Sequence, residues 1–156
     1  MASKSASDDL VQCFDDLVRV ETRLYNAVGE TLRREHGIVA AQYEILRYFS
    51  DHPESRIADV ATNFAAGVGA ISKGVDRLAA RGLVDRRPNP ADGRSMLVFL
   101  TDAGAALLAA ADVTFRRRLA ELVAQTVDDD QVETVTALLH TLRARLERDR
   151  LGMPVG

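Results

Sequence analysis

The order of the patterns in the middle of the chain constrains its fold more than any other feature of the sequence. Two short amphipathic stretches, 55–64 and 68–81, are separated only by small residues. Two short strand patterns, 83–87 and 95–99, come next, with a long polar segment between them. This order predicts a helix-turn-helix followed by a β-hairpin, in which the second helix has the size that fits a DNA major groove.

The second of the two short helices has distinct inner and outer faces. Three apolar residues recur at helical spacing and are predicted to be buried: Ile71, Val75 and Leu78. Gly67 stands where a Ser or Thr cap is usual. Gly69 and Gly74 would each cost about 1 kcal/mol relative to Ala in a helix interior. We therefore expect this helix to fit its groove in an unusual way.

Capping residues predict where several helices begin and end. Ser55 is the predicted N-cap of the first short helix, and Thr101 that of a long helix after the hairpin. Gly37 and Gly82 are predicted helix stops. The triplet that starts at Asp128 favours the start of a last helix, because acidic side chains stabilise helix N-termini.

Long helical patterns lie on both sides of the hairpin region. We predict a mainly α fold with a small β-hairpin, in a single domain that spans 1–156. Its winged helix-turn-helix core covers 37–100, with a wing at 88–94, and long N- and C-terminal dimerisation helices occupy 8–36 and 101–150.

The outer helices carry apolar stripes that are long for a chain of this size. These stripes cover 10–32 and 107–146, and one small winged domain cannot shield both of them from water. We therefore expect an obligate homodimer.

Charge is distributed unevenly along the chain. The net charge is −3, but the segment balances are −4 for 1–66, +3 for 67–100 and −2 for 101–156. Phosphate neutralisation requires a local cluster of Lys and Arg and not a basic average. The basic middle segment is therefore the predicted phosphate-binding surface, although a solvated basic patch without function gives the same balance.

Several function classes receive no support from the sequence. One cysteine, no signal-like N-terminal segment and no long apolar run lead us to expect a cytoplasmic chain without a membrane partner. His36, His52 and His140 lie far apart without other metal ligands beside them. No nucleotide-binding or nucleophile motif occurs. We expect no metal, no cofactor and no enzymatic activity.

Motifs within the core resemble those of a known family. They are the segments 57–61, 75–78 and 81–86, the wing with Asp92 and Arg94, and the Leu-Thr-Asp-Ala-Gly run at 100–104. Together they resemble the MarR family of winged helix-turn-helix transcriptional regulators. The resemblance implies a homodimer with interleaved terminal helices, recognition helices in successive major grooves and a wing arginine in the minor groove.

The DNA-binding residues are predicted on the second short helix and on the hairpin. On the helix, a hydroxyl and two cations suit bases or phosphates, and small residues allow close approach. On the wing, Asp92 is expected to orient the Arg94 guanidinium by a charge-assisted hydrogen bond, so that it reaches a narrow minor groove. The full set is Gly69, Ala70, Ser72, Lys73, Arg77, Arg86, Asp92 and Arg94.

The resemblance also implies a small aromatic or phenolic anion as effector. It would bind in the cleft between the dimerisation helices and the winged domain. Candidate lining residues are Arg19, Arg23, Tyr25, His36, Tyr43 and Arg47.

The favoured function is a ligand-responsive repressor that binds a pseudo-palindromic duplex operator as a homodimer. One alternative is a winged-helix protein-interaction module with weak or no DNA binding, which the net acidity favours slightly. Another is a thiol-based redox-sensing regulator that acts through Cys13, although no tyrosine stands at the supporting positions that the resemblance implies. The sequence leaves the operator, the effector and the direction of regulation open.

Overall fold

The computed structural model describes residues 4–154, so positions 1–3 and 155–156 of the predicted domain lie outside the described residues. Within these residues the structure has six helices and a two-stranded antiparallel hairpin, and the helix-turn-helix precedes the hairpin as predicted. The elements are α1 (Lys4–His36), α2 (Ala40–Asp51), α3 (Ile57–Asn63), α4 (Val68–Ala80), β1 (Val84–Asn89), β2 (Asp92–Leu100), α5 (Asp102–Val123) and α6 (Asp129–Arg148). The mainly α fold with a hairpin is confirmed.

The core lies where α2 meets the winged elements. The largest fully buried side chains of α2 are Tyr43, Leu46 and Phe49, and α1 and β2 add Leu32 and Val98. The inner face of α4 is as predicted, since its three spaced apolar side chains are buried: Ile71, Val75 and Leu78. Burial of such side chains stabilises a fold by about 1.5–3 kcal/mol each.

The first short helix begins later than predicted, and Ser55 is not its cap. Arg56 occupies the N-cap position, and its backbone N–H donates to the Asp59 carboxylate at 2.8 Å. The Ser55 carbonyl instead accepts the N–H of Val98 at 2.9 Å in an isolated bridge to the hairpin. The prediction was wrong because this backbone pairs with a strand more than 40 positions away.

The wing also differs from its prediction, because the strands extend into the supposed loop at 88–94. Only Pro90 and Ala91 lie between the strands, and Asn89 pairs with Asp92. The register shifts beside Asn89, since Pro88 pairs with Met96. This irregularity places the intervening residues of β2 in a bulge, which re-aims side chains at a strand edge.

Glycines explain two helix ends and one close helix contact. Gly37 and Gly82 have φ of 65° and 68°, so both predicted helix stops are confirmed. A Cβ at position 74 would lie 2.9 Å from Cδ1 of Ile45. Glycine at 74 therefore brings α4 close to α2, and this contact accounts for a residue that α4 otherwise tolerates poorly.

The joint between the hairpin and α5 is tightly packed. Thr101 caps α5 as predicted, because its Oγ1 accepts the N–H of Gly104 at 3.0 Å. The same hydroxyl donates to the Gly82 carbonyl at 2.6 Å, and the Thr101 N–H donates to the Leu83 carbonyl. The start of α5 is thus fixed to the turn that follows α4.

The outer helices expose much of their apolar surface in the single chain. On α1, Leu10 and Phe14 are 67% and 65% exposed, and on α6, Val135 and Leu138 are 54% and 63% exposed. None of the α6 residues is buried. No helix within residues 4–154 combines the length and apolar character needed to cross a membrane.

Candidate nucleic-acid interface

The outer face of α4 presents small and cationic residues to solvent. Gly69, Ala70, Lys73 and Arg77 are exposed, and Ser72 is half-buried. A Cβ at position 69 would meet no atom within 4 Å, so Gly69 leaves open space in front of its backbone. This face has no protein neighbour among the described residues that would prevent close approach to a duplex.

The tip of the wing is held by side-chain contacts to the backbone. Asn89 Oδ1 accepts the N–H of Ala91 at 3.0 Å, and Asn89 Nδ2 donates to Ser95 Oγ at 2.9 Å. Asp92 Oδ1 accepts the backbone N–H of Arg94 at 3.1 Å. Asp92 therefore fixes the backbone under Arg94 and, contrary to the predicted charge-assisted bond, does not contact the guanidinium.

Arg86 connects the hairpin to α4. Its Nη2 donates to Asp76 Oδ1 at 2.6 Å, while its buried Nε has no hydrogen-bond partner within residues 4–154. This ion pair joins β1 to the outer face of α4. The role predicted for Arg86 was DNA contact, and the pair with Asp76 was not anticipated.

The six cations of the basic segment fall into two groups. Arg81 donates to the Gly37 carbonyl at 3.0 Å, Arg86 pairs with Asp76, and Arg87 pairs with Asp85 at 3.2 Å and lies over the Phe99 ring. The side chains of the others form no ion pair or hydrogen bond with any described residue: Lys73, Arg77 and Arg94. These three unpaired cations are all predicted DNA contacts.

Two of the predicted effector residues hold α5 against the core. Tyr43 donates to Asp112 Oδ1 at 2.7 Å and stacks on Phe115, with ring centroids 4.6 Å apart. Burial, and then this hydrogen bond, raise the pKa of Tyr43. Hydrogen bonds from Arg116 and from Tyr43 lower the pKa of Asp112. Tyr43 is thus a neutral donor that ties α2 to α5.

His36 takes part in a second connection to α5. Thr114 Oγ1 donates to Glu35 at 3.0 Å and lies 2.8 Å from His36 Nε2. Because the only hydroxyl proton goes to Glu35, His36 Nε2 donates in this contact. Hydrogen bonds from Thr114 and then Arg117 lower the pKa of Glu35. Glu35, Thr114 and Arg117 were not among the predicted residues.

The structure does not bring the six predicted effector residues into one cavity. Arg19 pairs with Asp15 on the exposed side of α1. Three others line separate cavities: Arg23 (about 480 Å³), Tyr25 (about 210 Å³) and Arg47 (about 340 Å³).

Cys13 is exposed on α1. The part of the chain that the structure describes contains no group of three His, Cys, Asp or Glu residues that could hold a metal ion. The redox alternative rests on this exposed thiol.

Comparison with known proteins identifies the family. A sequence model of the MarR family matches residues 36–95. The transcriptional repressor NicR of Pseudomonas putida is 28% identical over 90% of this chain and 87% of its own. The multiple antibiotic resistance protein MarR of Escherichia coli is 30% identical over 65% of this chain and 71% of its own.

Solved structures of MarR-family regulators are also similar to this chain. A mutant of Escherichia coli MarR complexed with operator DNA has a TM-score of 0.77 at 25% identity, over 86% of this chain and 96% of that chain. A DNA-bound regulator from Streptomyces coelicolor has a TM-score of 0.82 at 18% identity, over 99% and 95%, and supports the fold. With a winged fold, unpaired cations on α4 and wing, and these relatives, the chain belongs to the MarR family of DNA-binding transcriptional regulators.

Proposed function

We propose that this chain is a repressor that binds a pseudo-palindromic duplex operator as a homodimer and releases it when a small effector binds. The main support for a DNA-binding surface is the set of unpaired cations. Lys73 and Arg77 lie on α4 and Arg94 lies on the wing, while the other cations of the basic segment are engaged within the protein. Cations without protein partners are available to phosphates.

The surface suits contacts in both grooves. With α4 in the major groove, Gly69 and Ala70 allow close approach to base edges and thymine methyls, and the Ser72 hydroxyl suits a base or a phosphate. Arg94 at the wing then reaches the minor groove, where a narrow groove has a strongly negative potential. The ion pair between Asp76 and Arg86 keeps helix and wing in one arrangement.

Salt dependence tests DNA binding against the protein-interaction alternative. The basic segment of each subunit offers three cations whose side chains have no partner among the described residues. A dimer that neutralises about six phosphates should therefore show a log–log slope of affinity against salt near −5. The measurement is a fluorescence-anisotropy titration with random duplex DNA between low and moderate salt. A DNA affinity that does not change with salt concentration would contradict the proposed DNA-binding surface and favour the protein-interaction module.

The homodimer is supported by the apolar stripe of α6. Leu138, Leu139 and Leu142 face solvent in the single chain although α6 is regular and capped by Asp128. Exposed apolar patches of this extent are typical of protein–protein interfaces. The exposed apolar residues of α1, which include Phe14, provide a second surface for the same partner.

A charge on the α6 stripe is expected to dissociate the dimer. Leu142→Glu would bury an unpaired carboxylate in the interface, which costs several kcal/mol. Sedimentation equilibrium at micromolar concentration should give a dimer for the parent and a monomer for the variant. Ala144→Glu, on the opposite face of α6, is the matched control and should stay dimeric. A folded monomer for the parent chain would contradict the proposal.

A further inference from the structure

A small cavity lies between α1, α2 and α5, away from the DNA-binding face. Its volume is about 210 Å³, below the roughly 300–1,000 Å³ of pockets for drug-sized ligands. Four apolar side chains form most of its wall: Leu24, Val28, Phe115 and Leu119. The cavity therefore suits a single ring or a short alkyl chain.

The polar groups of this cavity are two carboxylates and a phenol. They belong to Glu21, Tyr25 and Glu44, and no Lys, Arg or His is among the lining residues. Glu44 is half-buried, and its carboxylate forms no hydrogen bond or ion pair with any of residues 4–154. A half-buried carboxylate without a direct partner loses part of its hydration, and no hydrogen bond replaces it.

The surroundings of Glu44 compensate its charge only in part. Burial raises the pKa of Glu44, and Arg47 opposes this effect only in part. Arg47 is one turn further along α2, 4.0 Å from Asp51, and lines a different cavity. Glu44 thus faces the cavity side of α2 without a cation of its own.

The raised pKa of Tyr25 is consistent with a negative electrostatic potential inside the cavity. Its pKa is raised first by burial and then by the negative charges of Glu44 and Glu21. The same field that disfavours a phenolate would disfavour a bound phenolate or carboxylate ligand. A cation would instead pair with the carboxylates and lie against the aromatic rings of Tyr25 and Phe115, which attract positive charge.

We propose that this cavity binds a small organic cation, in which one aromatic ring carries an ammonium group. The ring would occupy the wall formed by Leu24, Val28 and Phe115, and the ammonium would contact Glu44 and Glu21. This assignment departs from the phenolic anion that the family resemblance implies. As an effector site it rests on the proposed function, whereas the binding itself does not.

Calorimetric titration of the full chain with three ligands of one size tests the site. Benzylammonium, benzyl alcohol and benzoate share the ring and differ in charge. We expect benzylammonium to bind at least about tenfold more tightly than benzoate, because one partly buried charge pair is worth a factor of this order. Equal or tighter binding of benzoate would overturn the proposal without the need for any variant.

Substitution of the unpaired carboxylate assigns the binding to this cavity. Glu44→Gln keeps the side-chain shape and should weaken benzylammonium by about tenfold while leaving benzyl alcohol nearly unchanged. Glu30→Gln, an exposed position on α1 outside the cavity, removes the same charge and should change neither ligand. An unchanged benzylammonium affinity in Glu44→Gln, with a parent-like melting curve, would show that the cation binds elsewhere.

Operator release is measured separately, so the two proposals can fail independently. Anisotropy of labelled duplex DNA with and without benzylammonium reports coupling, for which about 5- to 150-fold is usual. Cation binding that leaves DNA affinity unchanged supports the cavity assignment and contradicts the ligand-responsive part of the proposed function. If calorimetry shows no preference for benzylammonium over benzoate, the cavity assignment is wrong, even if the protein still binds duplex DNA.

Discussion

Gly104→Ala is expected to lower the free energy of unfolding by about 3 kcal/mol or more. A Cβ at this position would overlap the Leu83 carbonyl oxygen and lie 2.9 Å from its carbonyl carbon. The backbone cannot easily move away, because the Leu83 carbonyl accepts the N–H of Thr101 and the Leu83 N–H donates to Leu78. The added methyl would therefore separate α5 from the turn after α4 and break the Thr101 contacts.

Urea unfolding followed by circular dichroism measures this effect. Gly69→Ala is the matched control, since it makes the same change inside a helix with no atom within 4 Å of the new Cβ. It should raise stability slightly, by about 0.4–1 kcal/mol, because alanine reduces the conformational freedom of the unfolded chain. A Gly104→Ala protein as stable as the parent would show that the joint at α5 is not tightly packed.

Arg94→Ala is expected to weaken operator binding by about 1–3 kcal/mol, roughly 5- to 150-fold, without loss of fold. Arg94 is exposed at the wing and makes no contact that supports the protein. Its removal takes a cation from the region of most negative DNA potential. Anisotropy titrations should show both weaker binding and a salt slope that is smaller by about one contact per subunit.

Three variants separate the role of Arg94 from the loss of charge in general. Arg94→Lys keeps the charge and should preserve the salt slope while losing part of the affinity, because lysine lacks the planar guanidinium. Asp92→Ala removes the acceptor for the Arg94 backbone N–H and should have a smaller effect. Arg19→Ala, on α1, should leave operator affinity unchanged. If Arg94→Ala binds the operator as tightly as the parent, Arg94 of the wing does not contribute to DNA binding.

Features set by neighbouring residues were predictable from the sequence. The stops at Gly37 and Gly82 and the Thr101 cap depend on contacts within a few positions, and all three are confirmed. The buried face of α4 follows from a spacing of 3.6 residues per turn. The paired glycines were less informative, because Gly69 faces open space while Gly74 lies against Ile45. Only the packing of α2 distinguishes them.

Features that join distant segments were not predictable. Tyr43 was selected by residue type as a ligand contact, yet its hydroxyl binds Asp112, 69 positions away. Ser55 has the composition of a cap but pairs with Val98. The small cavity between α1, α2 and α5 was not predictable for the same reason, because Glu21 and Glu44 come from different helices. Periodicity locates faces, and only the tertiary fold decides which faces meet.

The tightly packed start of α5 has a mechanical consequence for the proposed dimer. A helix of 22 residues is about 33 Å long, close to the distance between successive major grooves. Because Thr101 fixes the start of α5 to the turn after α4, the helix and the winged elements would move together. A tilt of about 5° at its far end would sweep the wing through about 3 Å. In the proposed repressor, such a tilt would change the fit of the wing to the operator while every helix keeps its internal hydrogen bonds.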